Sequence, residues 1–133
     1  MVVLDASAGV ELVLRTSRGE LIAGRLRDPV KRLHAPHLVD IEVVQTLRRL
    51  LLAKRLLIPN AEQSLEDFSL LPIVRHAHKP LLPRIWSLRS LLSAYDALYV
   101  ALAEALACPL LTCDERLART RGHAARIDVI RSE

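Results

Sequence analysis

Apolar positions along this chain fall into two kinds of run. Short unbroken blocks bounded by polar or turn residues read as buried strands, and longer stretches with apolar residues every three or four positions read as helices with one inward face. VVLD at 2–5 is a first strand, followed by short helical segments over Ser7–Leu14 and Gly19–Arg27 and a second strand at Leu33–Pro36. From about Leu38 to Lys54, Val39, Val43, Leu47 and Leu50 recur at the spacing of a core-facing stripe. Pro59 opens another helix to about Leu70, because a first-turn residue has no helical partner for its N–H in any case. IVRHAH at 73–78 alternates like a strand, and Leu81, Ile85, Leu88 and Leu92 mark a further helical face. Ser93 begins a helix running to Ala107, PLLTC at 109–113 is a strand, Glu115–Arg121 is helical, and IDVI at 127–130 is the last strand. Alternating β and α segments imply an α/β fold, with a mostly parallel sheet of about five strands covered by helices on both faces.

The 133 residues, 51% apolar, suit one domain over 1–133 with a single buried core. The longest apolar stretch, Ala97–Ala103, is far shorter than the roughly 20 residues a membrane helix needs, and no basic-then-apolar leader opens the chain. A soluble, cytoplasmic protein is expected. Cys108 and Cys113 form no CxxC pair and have no histidine at zinc-finger spacing, so they read as small hydrophobes in a reducing compartment. The net charge is +4, and arginine outnumbers lysine sixteen to three. A guanidinium fork suits phosphate geometry, although coding bias also enriches arginine, so the count leaves a nucleic-acid partner open. With only Phe68, Trp86, Tyr95 and Tyr99 as aromatics, a base-stacking platform is not expected.

Four acids then change the picture. Asp5 and Asp114 follow predicted strands and precede helices, Asp96 lies in the first turn of the helix opened by Ser93, and Glu42 lies on the long third helix. Each has a local explanation. Asp5 and Asp114 can be N-caps, and Ser93 with Asp96 fits a capping box. Glu42 falls opposite the apolar stripe with Gln45, Thr46 and Arg49, where a solvated surface residue is expected. Capping needs no shared location, however, whereas residues just past the carboxyl ends of parallel strands line one crevice. Carboxylates gathered there without matching cations suit Mg²⁺ or Mn²⁺ and phosphoryl-transfer chemistry.

The segments VVLDASA, APHLVDIEVVQTLRRL, YDALYVALAEAL and PLLTCDERLAR, in this order and spacing, resemble the PIN-domain ribonucleases, and most closely the VapC toxins of bacterial toxin–antitoxin pairs. The resemblance runs over nearly the whole chain. It implies a PIN-like fold and a Mg²⁺- or Mn²⁺-dependent endoribonuclease. By it, Asp5, Glu42, Asp96 and Asp114 hold the metal, and Thr112 is the T-x-D hydroxyl that orients a carboxylate. It also implies a homodimer neutralised by a small VapB-like antitoxin. Arg116 departs from those members that carry an acid two residues after the T-x-D aspartate, which leaves one or two ions open.

Other residues carry less. His76 and His78 would share a strand face, but no third zinc ligand is evident. Asp40 reads as a first-turn acid favoured by the helix macrodipole. Arg84, Arg89, Arg116 and Arg119 flank the acids in sequence and are candidates for RNA phosphates, with solvated faces or ion pairs as the alternative. Trp86 reads as packing. Leucine-rich segments at Leu47–Leu57 and Leu81–Leu92 exceed what one small core covers, which points to an interface. Against the nuclease stand a non-catalytic PIN-like module that binds RNA or protein, a phospho-acceptor receiver and a DxD phosphatase. The last two are disfavoured because Asp5 stands alone, no lysine occurs beyond Lys79, and Ser7 takes the second acid's place. Neither the RNA target nor the choice between Mg²⁺ and Mn²⁺ is legible at this level.

Overall fold

Every strand anticipated from the pattern is present in the computed structural model, which describes residues 1–28 and 30–131. β1 (Val2–Leu4), β2 (Leu33–Pro36), β3 (Ile73–His76), β4 (Leu110–Thr112) and β5 (Ile127–Val129) form one sheet in the order β3-β2-β1-β4-β5. All four pairings are parallel, with Val3 opposite both His34 and Leu110. Strands β1, β2 and β4 are buried at every residue, as expected of continuous apolar runs covered on both faces.

The connections supply the cover. α1 (Ala6–Leu14), α2 (Ser17–Arg25), α3 (Leu38–Leu52) and α4 (Ile58–Ser69) form one group, with α1 packed against the other three. α6 (Ala94–Leu106) lies across β1, β2 and β4 with α5 (Leu82–Ser87) against it, and α7 (Glu115–Arg119) packs by β5. The result is an α/β/α sandwich. Gly9 lets α1 and α4 approach: a Cβ there would stand 2.9 Å from the ring of Phe68, a buried side chain that cannot give way cheaply.

The order of strands positions the site. From β1 the chain winds outward through β2 to β3, then crosses back to β4 and β5 on the other side of β1. The winding therefore reverses between β1 and β4, and an open parallel sheet has its ligand crevice at the carboxyl ends of the strands flanking such a reversal.

Two local expectations are corrected. β3 ends at His76, so His78 lies beyond the strand and the two histidines do not share a face. The single helix suggested by Leu81, Ile85, Leu88 and Leu92 is broken into a 3-10 turn at Lys79–Leu81, the short α5, and turns from Leu88 onward. Pro83 has no N–H to donate, so the 3-10 turn cannot run on into α5 as one ladder, whereas the end of α5 after Ser87 is explained by neither proline. The spacing still tells which side faces inward: Leu88 is fully buried, and Leu81, Ile85 and Leu92 pack on the core's margin.

Candidate active site

Asp5 follows the last residue of β1 and Asp114 stands two residues past β4, so both lie at the reversal point. Asp5 is 7% exposed. Its Oδ1 accepts the Ala8 N–H at 3.0 Å, capping α1, and the Ser7 hydroxyl at 2.7 Å; its Oδ2 accepts the Thr112 hydroxyl at 2.5 Å. The donors favour the carboxylate, but burial opposes it more strongly, and Glu42 adds a like charge. The Asp5 carboxyl is pushed up to about 6. Capping and membership of an acidic cluster are thus properties of one side chain.

Two hydroxyls tie the corner after β1 to the corner after β4. Thr112, fully buried, accepts the Asp114 N–H at 3.0 Å while donating to Asp5, and Ser7 Oγ accepts the Cys113 N–H at 3.0 Å. Neither adds charge. Burial pushes the Cys113 thiol up to about 11, which disfavours the nucleophilic thiolate near neutral pH.

Glu42 is not the solvated residue its helical wheel suggests. It is half-buried, and the Tyr99 hydroxyl donates to its Oε1 at 2.6 Å. A wheel describes one helix, whereas Tyr99 comes from α6 across the crevice. Burial, then the hydrogen bond to Glu42, push the phenol of Tyr99 upward, so it remains a donor. The sequence pattern marks Tyr99 only as one of few aromatics; the signal that singles it out is its position three residues after Asp96, on the same helical face.

Asp96 lies in the first turn of α6, where the Ser93 hydroxyl accepts its N–H at 3.2 Å. Only that half of the capping box forms, since the Asp96 carboxylate faces Asp114 and Arg116. Burial, then the charge of Asp114, raise the Asp96 carboxyl above its ordinary value. Asp114 is held below its ordinary value by the guanidinium of Arg116, which reaches Oδ1 from Nε at 3.2 Å and Oδ2 from Nη2 at 2.7 Å. Asp114 also accepts the Arg116 N–H at 2.9 Å and so caps α7.

The four acids therefore form one chain in two halves, Asp5 with Glu42 and Asp96 with Asp114, bridged by Thr112. As the side chains stand, no three carboxylate, imidazole or thiol groups among the described residues are close enough to share an ion. Arg116 engages both oxygens of Asp114, and Tyr99 engages one of Glu42. The donor chemistry nonetheless fits a hard divalent cation: the donors are all oxygen, and Asp5 and Asp96 are raised partly by neighbouring acids.

The arginines divide. Arg116 and Arg119 line a shallow polar depression at Asp114 together with Arg18, which is paired to Glu11 at 2.8 Å. Arg84 does not reach the acids; its guanidinium grips both oxygens of Glu104 at 2.9 Å, eight residues or about 12 Å along α6 from Asp96. Arg89 lies over the Trp86 ring, 4.7 Å from its centroid. Asp40 sits in the first turn of α3 but is held by Nε and Nη2 of Arg75, each donating at 2.8 Å. His76 pairs with His34, Nε2 to Nδ1 at 2.8 Å, away from any third ligand.

With this geometry in hand, likeness to known proteins becomes informative. A profile of the PIN domain family matches residues 2–123. Ribonuclease VapC12 of Mycobacterium tuberculosis is 42% identical over 130 residues, 98% of this chain and 99% of that protein. Ribonuclease VapC9 of the same organism is 43% identical over 131 residues, 98% of each chain. The crystal structure of PAE2754 from Pyrobaculum aerophilum superposes with a TM-score of 0.69 at 28% identity, covering 96% of this chain and 83% of that one. The chain belongs to the PIN domain family, in company with the VapC ribonucleases.

Proposed function

We propose that this chain is an endoribonuclease that hydrolyses RNA phosphodiester bonds with Mg²⁺ or Mn²⁺ held by Asp5, Glu42, Asp96 and Asp114, and that it acts in the cytoplasm as the toxin of a toxin–antitoxin pair. The reading is supported by four acids, distant in sequence, that lie in two pairs about the reversal between β1 and β4, Asp5 with Glu42 and Asp96 with Asp114, with Asp5 and Asp96 each raised by burial and by the acid beside it. The relatives named ribonucleases supply the substrate class.

A bound divalent ion would supply Lewis-acid stabilisation of charge on phosphorus and a water activated near neutral pH. The chain's own residues orient and select. Thr112 and Ser7 fix the direction of both Asp5 oxygens, as partners of metal-binding carboxylates commonly do. Tyr99 fixes Glu42. Arg119 stands at the rim as a phosphate contact; Arg116, bound to both oxygens of Asp114, and Arg84 and Arg89, engaged elsewhere, are not assigned that role as they stand.

The test is cleavage of a panel of RNAs. Activity should vanish in EDTA, return with Mg²⁺ or Mn²⁺, and leave 5′-phosphate and 3′-hydroxyl ends, because water and not the ribose 2′-hydroxyl attacks. Cyclic-phosphate ends or undiminished cleavage in chelator would overturn the mechanism. Binding without cleavage under every metal condition would favour the non-catalytic module.

The partners follow from uncovered apolar surface. Leu82 and Trp86 of α5 and Leu91 beyond it are exposed beside an apolar hollow lined by Ile85 and Leu92, and Leu52, Leu57 and Ile58 are exposed around the α3–α4 connection. No helix among the described residues is long and apolar enough to cross a membrane. We assign these faces to a homodimer contact and to a small antitoxin protein, with residues 1–133 acting as one domain. A monodisperse monomer at micromolar concentration in sedimentation would count against the dimer, and unimpaired growth on expression alone would count against the toxin.

A further inference from the structure

The side chain two residues after Asp114 is a cation lodged where the proposed ion would go. Arg116 takes both oxygens of Asp114 through Nε and Nη2, and the same Nη2 lies 3.8 Å from Oδ2 of Asp96. Its side chain is 74% exposed, so carboxylate attraction rather than packing holds it. A carboxylate with both oxygens on a guanidinium is a poorer ligand for a second cation, because the two positive charges repel at short range. Exposure also means that the side chain can swing outward without disturbing the core.

We propose that Arg116 is an exchangeable internal cation. It neutralises the Asp96–Asp114 pair in the metal-free chain, a divalent ion must displace it to use those carboxylates, and the released guanidinium moves to the rim beside Arg18 and Arg119, where it meets RNA phosphate. The proposal rests on the metal-dependent reading and adds that the chain's own arginine sets how tightly metal is held. The exchange is feasible because exposed ion pairs are weak, whereas a divalent ion gains from several carboxylates at once.

Calorimetric titration of the full chain with MnCl₂, without RNA, tests it. Arg116→Gln keeps good helix propensity on α7 and should bind Mn²⁺ on the order of two- to fivefold more tightly than wild type, with Arg116→Lys between them. The arginine Nε–Hε resonance of Arg116, protected in the metal-free chain, should shift and exchange faster as MgCl₂ is added. Unchanged or weaker Mn²⁺ binding by Arg116→Gln, or a resonance unmoved at saturating Mg²⁺, overturns the exchange while leaving the metal reading intact, provided wild-type binding depends on Asp114. Absence of Mn²⁺ binding by wild type overturns both.

Discussion

The two halves of the acidic crevice are neutralised in opposite ways. Around Asp5 the partners are hydroxyls and a backbone N–H, which aim the carboxylate without cancelling its charge, and a buried site leaves its carboxyl near 6. Around Asp114 the partner is a guanidinium at the surface, and the carboxyl falls below its ordinary value. Orientation and neutralisation are thus separate services. Asp5 is buried and held by neutral donors, whereas Asp114 is held by an exposed cation.

The largest effects should come from removing acids. Asp5→Asn, Asp96→Asn and Asp114→Asn should each reduce RNA cleavage by more than the roughly 10–100-fold typical of losing a supporting partner, as read by single-turnover rates. Glu42→Gln should also impair it. Thr112→Val should cost about 10–100-fold in rate and about 1–3 kcal/mol in stability, because it strips a buried acceptor and a backbone N–H of their partner; Thr112→Ser should restore most of both. Tyr99→Phe keeps the ring and removes the bond to Glu42, so cleavage should fall about tenfold with metal affinity falling alongside.

Melting in EDTA separates Asp5 from Asp114 by sign. Asp5's folded value of about 6 lies above its ordinary value of 3.8, so its contribution to stability is full below about pH 3.8 and is lost as pH rises through about 6. Asp5→Asn should therefore melt no lower than wild type at pH 8, gaining at most about 3 kcal/mol less what imperfect replacement of the accepted bonds costs, with the difference closing toward pH 4. Asp114, held low by Arg116, contributes stability above its ordinary value that is lost as pH falls through its depressed one. Asp114→Asn should accordingly melt slightly lower at pH 8. A lower melt for Asp5→Asn at pH 8 would make capping, not charge, its dominant role. The smallest effect is expected at Arg84→Ala, which should leave cleavage unchanged and cost under about 1 kcal/mol, since its pair with Glu104 is partly exposed.

Local pattern carried much of this protein. Strand cores at Val2–Leu4, Leu33–Pro36 and Leu110–Thr112 are apolar apart from His34 and Thr112 because both sheet faces are covered, and that necessity is written in consecutive residues. Asp5, Asp96 and Asp114 were legible because strand ends and first helical turns are marked nearby in the chain. Glu42 was visible only through family likeness, since its own helix argues for solvent; Tyr99, 57 residues away, supplies the burial and the hydrogen bond. The break at Pro83 outweighed an apolar spacing that looked helical. Where each arginine's charge went was likewise decided across the fold: Arg84 to Glu104, Arg75 to Asp40 and Arg116 to Asp114. Hydrophobic periodicity is a property of neighbours in sequence, so the chain alone sets it. Ion pairing and burial of polar groups depend on what other elements bring within a few ångströms, and only the folded arrangement sets those distances.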